Sequence, residues 1–138
     1  MAIRFAPKAG VILLCDFSLG GFKPPEMIKR RPVVVVSPKL PERDLLATVV
    51  PFSTTPPRSN RPYVVAITLK DPLPAPFEAP VMWAKCDMIC AVSLNRLDLF
   101  RSGRDGDTGK RRYYKPALTP DDFERVRRGI LAGLGLDN

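Results

Sequence analysis

Short apolar runs broken by proline and glycine fill the first two-thirds of the chain. "VILLCDF" (Val11–Phe17) follows Gly10 and precedes "SLGG", and "PVVVVSP" (Pro32–Pro38) is a β-branched run between prolines. "LLATVVPF" (Leu45–Phe52) is closed by "STTPPRSNRP", and "YVVAITL" (Tyr63–Leu69) by "KDPLPAP". "APVMWAKCDMI" (Ala79–Ile89) is the fifth such run. Runs of this length and composition between turn residues read as strands. No segment between them is long enough for a helical crossover. The pattern therefore predicts a mainly β, mostly antiparallel small barrel or strongly curled sheet.

The pattern then changes. "SLNRL" (Ser93–Leu97) suits one helical turn, "YYKPAL" a last extended piece, and the polar, glycine-rich stretch at 101–112 a mobile basic loop. Near the C-terminus Phe123, Val126, Ile130 and Leu134 recur at spacings of three and four. Thr119 can cap that segment, Pro120 suits its first position, and Asp121 and Asp122 favour the positive end of a helix dipole. These features predict an amphipathic helix laid on the sheet, with Arg125, Arg127 and Arg128 on its other sides. One domain spanning 1–138, without repeats, accommodates the whole pattern.

Composition narrows the chemistry. The net charge is +8. Lys23, Lys29, Arg30 and Arg31 stand near Glu26 alone; Arg101, Arg104, Lys110, Arg111, Arg112 and Lys115 outnumber Asp105 and Asp107. Such clusters are either solvated loops or a face for a polyanion, of which nucleic acid is the commonest in a cytoplasm. No apolar run is long enough to span a membrane, and the N-terminus has no apolar signal region, so a cytoplasmic protein is expected. Cys15, Cys86 and Cys90 are too few and oddly numbered for a disulfide framework. There is no histidine. Serine–histidine hydrolysis and histidine-paired ribonuclease chemistry therefore lack their proton acceptor, a zinc site is disfavoured, and no phosphate-binding glycine loop is present. No metal or cofactor is expected.

The pieces "G…DF…G…ExxxxRPVVVVSP", "ATVVPFST" and "DMI…SLNRL" occur in an order and spacing that resemble the MazF/PemK toxin endoribonucleases of bacterial toxin–antitoxin pairs. The resemblance runs over roughly residues 8–100, and "LTPDDFERVRRGIL" is similar to the family's terminal helix. It implies an SH3-like antiparallel β-barrel with a C-terminal helix, usually a homodimer. It implies metal-independent cleavage of single-stranded RNA by the ribose 2′-OH, leaving 2′,3′-cyclic phosphate and 5′-OH ends. It also implies an acidic antitoxin that blocks the RNA channel.

Carried over residue by residue, the resemblance assigns catalysis to Arg31, Ser53 and Glu26. A guanidinium directly before Pro32 can grip a phosphodiester and stabilise charge building on its oxygens. Ser53, with Thr54 as the alternative one residue on, offers a hydroxyl to the phosphate, and Glu26 offers a carboxylate to the 2′-OH proton. Lys23, Lys29, Arg30, Thr54, Thr55 and Arg58 are the expected RNA contacts. Each catalytic candidate has a plainer role: Arg31 as a surface cation, Ser53 as a turn former, and Glu26 as an ion-pair partner of Lys29 or Arg30. Asp16 is expected to hold the loop after it through backbone amides. Trp83 and Phe52 read as core, each with a ring that a base could stack on. Val11 and Cys90 depart from the family, which often has an acidic residue and an arginine there. Two other functions fit the same barrel: a CcdB-like, non-catalytic inhibitor of DNA gyrase, and an RNA-binding relative without activity.

Overall fold

The computed structural model describes residues 3–104, 109 and 111–137. Within them the chain forms β1 (Ile12–Asp16), β2 (Arg30–Val35), β3 (Leu46–Ser53), β4 (Val64–Ile67) and β5 (Met82–Lys85). β6 (Cys90–Ser93), β7 (Leu97–Asp98), β8 (Phe100–Arg104), β9 (Arg111–Tyr114) and the helix α1 (Pro120–Gly133) follow. The main sheet runs β4-β5-β3-β2-β1-β7, with β6 added along β3. Its pairings are all antiparallel. This is the small antiparallel sheet with a C-terminal helix that the pattern predicts, curled like a barrel without closing.

The long strand β3 produces the curl. Leu46 to Val49 pair with β6, whereas Phe52 and Ser53 pair with Ala84 and Trp83 of β5. One strand thus serves both wings of the sheet. Alternation then makes two cores. Ile12, Val34, Val50, Phe52 and Met82 face one, and α1 packs on it through Val126. Leu13, Cys15, Val33, Val35 and Val49 face the other. Phe52 is only 1% exposed, so its ring is committed to packing.

The helix starts where the sequence predicts, with the Thr119 hydroxyl accepting from the Asp122 amide at 3.2 Å. Its buried stripe differs at one end, because Leu134 is 53% exposed. Gly129 makes the close contact instead: a Cβ there would stand 2.7 Å from the Cys86 sulfur. A Cβ on Gly133 would lie 3.0 Å from the Cα of Asp87. The two glycines let the helix backbone settle on the turn at 86–88.

Two sequence expectations change locally, and the helical turn expected at "SLNRL" is present. The fifth run stays extended only to Lys85; Cys86–Met88 form a 3₁₀ turn beneath α1, and the strand β6 resumes at Cys90. "SLNRL" becomes a 3₁₀ turn over Leu94–Arg96 followed by β7, with the Ser93 hydroxyl accepting from the Asn95 amide at 3.2 Å. The stretch expected as a basic loop is a hairpin over its described arms, with Phe100 opposite Tyr114 and Arg104 opposite Arg111. Phe100 is buried in the core, which ties the first arm down. Residues 105–108 and 110 of that stretch lie outside the described ones.

Candidate active site

Arg31 is the second residue of β2 and pairs with Cys15 of β1. It shares a face with Val33 and Val35, which are fully buried, and is itself half-buried. Its Nε is the one buried side-chain nitrogen or oxygen among the described residues that has no hydrogen-bond partner. A buried donor left unpaired costs stability, so its persistence calls for an explanation. A planar guanidinium with an unused donor is suited to receive an oxyanion.

Ser53 ends β3 and is 6% exposed. Its Oγ accepts from the Thr55 amide at 3.1 Å, which turns the chain toward Pro56 and fixes the hydroxyl. Val33 lies opposite Pro51 in the β2–β3 ladder. That register, carried two residues further along both strands, sets Arg31 level with Ser53 on the same face. Thr54, Thr55 and Arg58 are exposed in the turn that follows. On the other side of β3, Ser53 pairs with the half-buried Trp83. Guanidinium, hydroxyl and indole therefore lie in one cross-strand row.

The segment between β1 and β2 carries Lys23 and Glu26. As expected, Asp16 organises its start: the carboxylate accepts from the Ser18 amide at 2.9 Å and from the Ser18 hydroxyl. The hydroxyl bond, above all, holds the Asp16 carboxyl below the usual range. Arg96 secures the same segment by donating to the carbonyls of Asp16 at 3.1 Å and Gly20 at 3.3 Å. Met27 is buried and anchors the far end. Glu26 itself is exposed and curls back on Lys23: its Oε1 accepts from the Lys23 amide at 3.3 Å, and its own amide donates to the Lys23 carbonyl at 2.8 Å. Among the described residues, no ion pair joins it to Lys29 or Arg30.

The structure separates the three adjacent cations. Arg30 pairs with Asp16 and faces away from Arg31. It lines a pocket with Leu14, Phe77, Phe100 and Arg101 instead. Lys29 lies outside β2 and is exposed. So the fold brings Arg31 and Ser53 together; it leaves Lys23, Glu26 and Lys29 on the loop and Arg30 on the opposite face. Arg96 is the contributor that sequence reasoning passed over. Its signal was its place in "SLNRL", directly before the strand that pairs with β1.

The thiols do not compete for a chemical role. Burial pushes Cys15 and Cys86 up to about 12, and Cys90 is raised for the same reason. A thiol of that kind is neutral at physiological pH and a poor nucleophile or ligand. Among the described residues, no three His, Cys, Asp or Glu side chains gather to hold a metal. None of their helices is long and apolar enough to cross a membrane.

Residues 8–132 match the model of the PemK-like, MazF-like toxins of type II toxin–antitoxin systems. The chain belongs to the MazF/PemK toxin family. It is 34% identical to the uncharacterized protein YifN of Escherichia coli (strain K12), over 75% of this chain and 80% of that one. In fold it is similar to an endoribonuclease in complex with its cognate antitoxin from mycobacterial species. That match has a TM-score of 0.63 and 21% identity, over 95% of this chain and 97% of that one. A second mycobacterial endoribonuclease matches with a TM-score of 0.62 and 20% identity, over 95% and 93%. Against the MazF/PemK pattern, the two departures have structural roles here. Val11 bridges to Ala117, and Cys90 pairs with Val49 and packs on the second core.

Proposed function

We propose that this MazF/PemK protein is the toxin of a type II toxin–antitoxin pair and a metal-independent endoribonuclease acting on single-stranded RNA. What supports the reading is the unpartnered Nε of Arg31 and the fixed hydroxyl of Ser53, which the β2–β3 register, continued past Val33 and Pro51, sets on one face. The guanidinium receives the non-bridging oxygens of the scissile phosphate, and the Ser53 hydroxyl donates to one of them. The 2′-OH oxygen attacks phosphorus and the P–O5′ bond breaks, giving a 2′,3′-cyclic phosphate and a 5′-OH. Glu26 accepts the 2′-OH proton once the loop turns it from the Lys23 amide toward the phosphate. The 5′-oxygen takes its proton from solvent. Charge stabilisation by a preorganised donor set is the main contribution asked of the protein.

Lys23, Lys29, Thr54, Thr55 and Arg58 guide the RNA backbone toward this point, and Arg30 contributes attraction from the opposite face. The active form is a homodimer in the cytoplasm, made of one toxin domain per chain. An acidic, partly disordered antitoxin folds onto the basic surface and excludes RNA.

Sequencing the ends of a mixed RNA pool after exposure to the protein in EDTA tests the reading. Cyclic-phosphate ends at a recurrent sequence are expected, and their loss in Arg31→Ala. A pool left intact over many sequences, or an Arg31→Ala protein as active as the parent, overturns it. Gyrase inhibition without RNA scission would transfer the protein to the CcdB-like function.

A further inference from the structure

The row that holds Arg31 and Ser53 does not stop at β3. Ser53 pairs with Trp83, and Trp83 pairs with Ala66 of the edge strand β4. Paired residues across antiparallel strands project to the same side of the sheet. Trp83 is therefore one strand from the proposed scissile phosphate, at a strand separation of roughly 5 Å.

There the sheet ends in a groove of about 690 Å³ between β4 and α1. Trp83 lines it together with the small residues Ala66, opposite it on β4, and Ala132 on the helix. Arg61 stands at one end and Arg128 along the helix side. Two further charged groups line the groove. Arg125 is engaged, donating to the Ala66 carbonyl at 2.9 Å and to Asp122 at 3.2 Å. Asp137 is the single carboxylate of the lining. Arg128 lies only loosely, at 3.9 Å, from Glu124 and is exposed. Cations therefore exceed carboxylates around a half-buried indole, in a space of the size that small ligands occupy (roughly 300–1,000 Å³).

We propose that this groove is a nucleotide subsite of the ribonuclease, taking a base that flanks the cut. The base stacks on Trp83, and the phosphates beside it meet Arg61 and Arg128. An aromatic face bordered by exposed cations is the chemistry by which proteins hold single-stranded nucleic acid. The row makes it continuous with Arg31 and Ser53, which an isolated peptide groove would not need to be. The inference rests on the ribonuclease reading above and extends it to a second nucleotide.

Trp83 is the chain's only tryptophan, so the intact protein reports on its own groove. The probe is a mixed-sequence RNA 12-mer, 2′-O-methylated throughout and labelled at one end, which cannot be cut for want of free 2′-hydroxyls. Anisotropy of the label measures binding, and tryptophan emission measures engagement of the groove. Saturable quenching that follows the anisotropy and weakens with salt is expected. With cleavable RNA, Trp83→Ala is expected to raise KM about tenfold, in line with the loss of one base–aromatic stack. Its kcat should hold within a factor of about two, and Trp83→Phe should restore most of the affinity. Should Trp83→Ala fail to fold, Arg128→Gln is expected to weaken probe binding several-fold. Probe binding with unchanged emission and an unchanged Arg128→Gln affinity overturns the subsite while leaving the ribonuclease reading intact. Absence of both binding and cleavage overturns the two together. Quenching by a Glu/Leu-rich peptide, and not by the probe, assigns the groove to a protein partner and overturns the inference.

Discussion

The guanidinium of Arg96 lies 4.7 Å from the centre of the Phe22 ring, in the middle of the segment that links β1 to β2. The same group donates to two carbonyls of that segment, so one side chain ties a loop of the proposed RNA surface to the turn after β6. Charged hydrogen bonds and a cation–π contact of this kind together amount to about 2 kcal/mol. Arg96→Met is expected to lose about that much stability and to accelerate amide exchange across residues 18–26. Arg96→Lys keeps the charge but not the planar fork, and an intermediate result is expected. Exchange in Arg96→Met that matches the parent would refute the assignment of Arg96 as the anchor.

Arg31→Ala removes the donor set proposed to receive the phosphate. Cleavage is expected to fall by about 10²–10³-fold, the scale of one lost transition-state donor. The fold should persist, because the variant also removes a buried nitrogen without a partner. Sulfate should raise the thermal midpoint of the parent by more than that of Arg31→Ala, the excess being the share bound at the guanidinium beyond sulfate's general stabilising effect. An equal sulfate shift in both proteins would remove Arg31 as the anion receptor.

Ser53→Ala deletes the acceptor of the Thr55 amide as well as the hydroxyl proposed to meet the phosphate. A stability loss of about 1 kcal/mol and a marked loss of kcat are expected. Ser53→Thr supplies a hydroxyl at the same place and should recover most of the activity. A Ser53→Ala enzyme with unchanged kcat would reduce Ser53 to a turn former.

Gly129→Ala forces a methyl group against the Cys86 sulfur. The obstacle belongs to a buried side chain under the helix, so α1 must move. A loss of about 1–3 kcal/mol is expected, read as a lowered urea midpoint. A Gly129→Ala protein as stable as the parent would show that the helix rides on its neighbours more loosely than this contact implies.

The buried thiols make stability fall in alkali. Cys15 and Cys86 are raised from 9.0 to about 12 in the folded chain. The unfolded chain releases these protons near 9 while the folded chain retains them. Between pH 9 and 12 the unfolded state therefore binds fewer protons, and stability declines as pH rises. The urea midpoint should drop through this window, less steeply in a Cys15→Ala, Cys86→Ala double variant. Equal slopes in the two proteins would discount the thiols.

Strands that must be dry were legible in the sequence, because β-branched runs between prolines leave few alternatives. The helix start was legible for a similar reason, since Thr119, Pro120 and two aspartates all specify one boundary. What escaped depended on contacts between distant segments. Gly129 shows no sign in sequence of being the close-contact residue; only the arrival of Cys86 gives it that role. β6 was hidden because its four residues carry no strong alternation and are extended by pairing with β3. The pairing of Phe100–Arg104 with Arg111–Tyr114 was hidden by polar composition, which a buried Phe100 overrides. Arg31 and Ser53 were each found through the resemblance to the MazF/PemK family, but their alignment across two strands required the register.

The opposite directions of Arg30 and Arg31 have a consequence for how such a chain can vary. A strand repeats every two residues, so one residue inserted between Arg31 and Pro32 would turn Arg31 to the face that Arg30 now holds and put the inserted residue level with Ser53. With an uncharged insert the net charge would be untouched, yet Arg31 would no longer stand level with Ser53. Length variation in the loop after β1 is thus harmless only while it is absorbed before Lys29, and an alignment gap placed inside "KRRP" would describe a different surface.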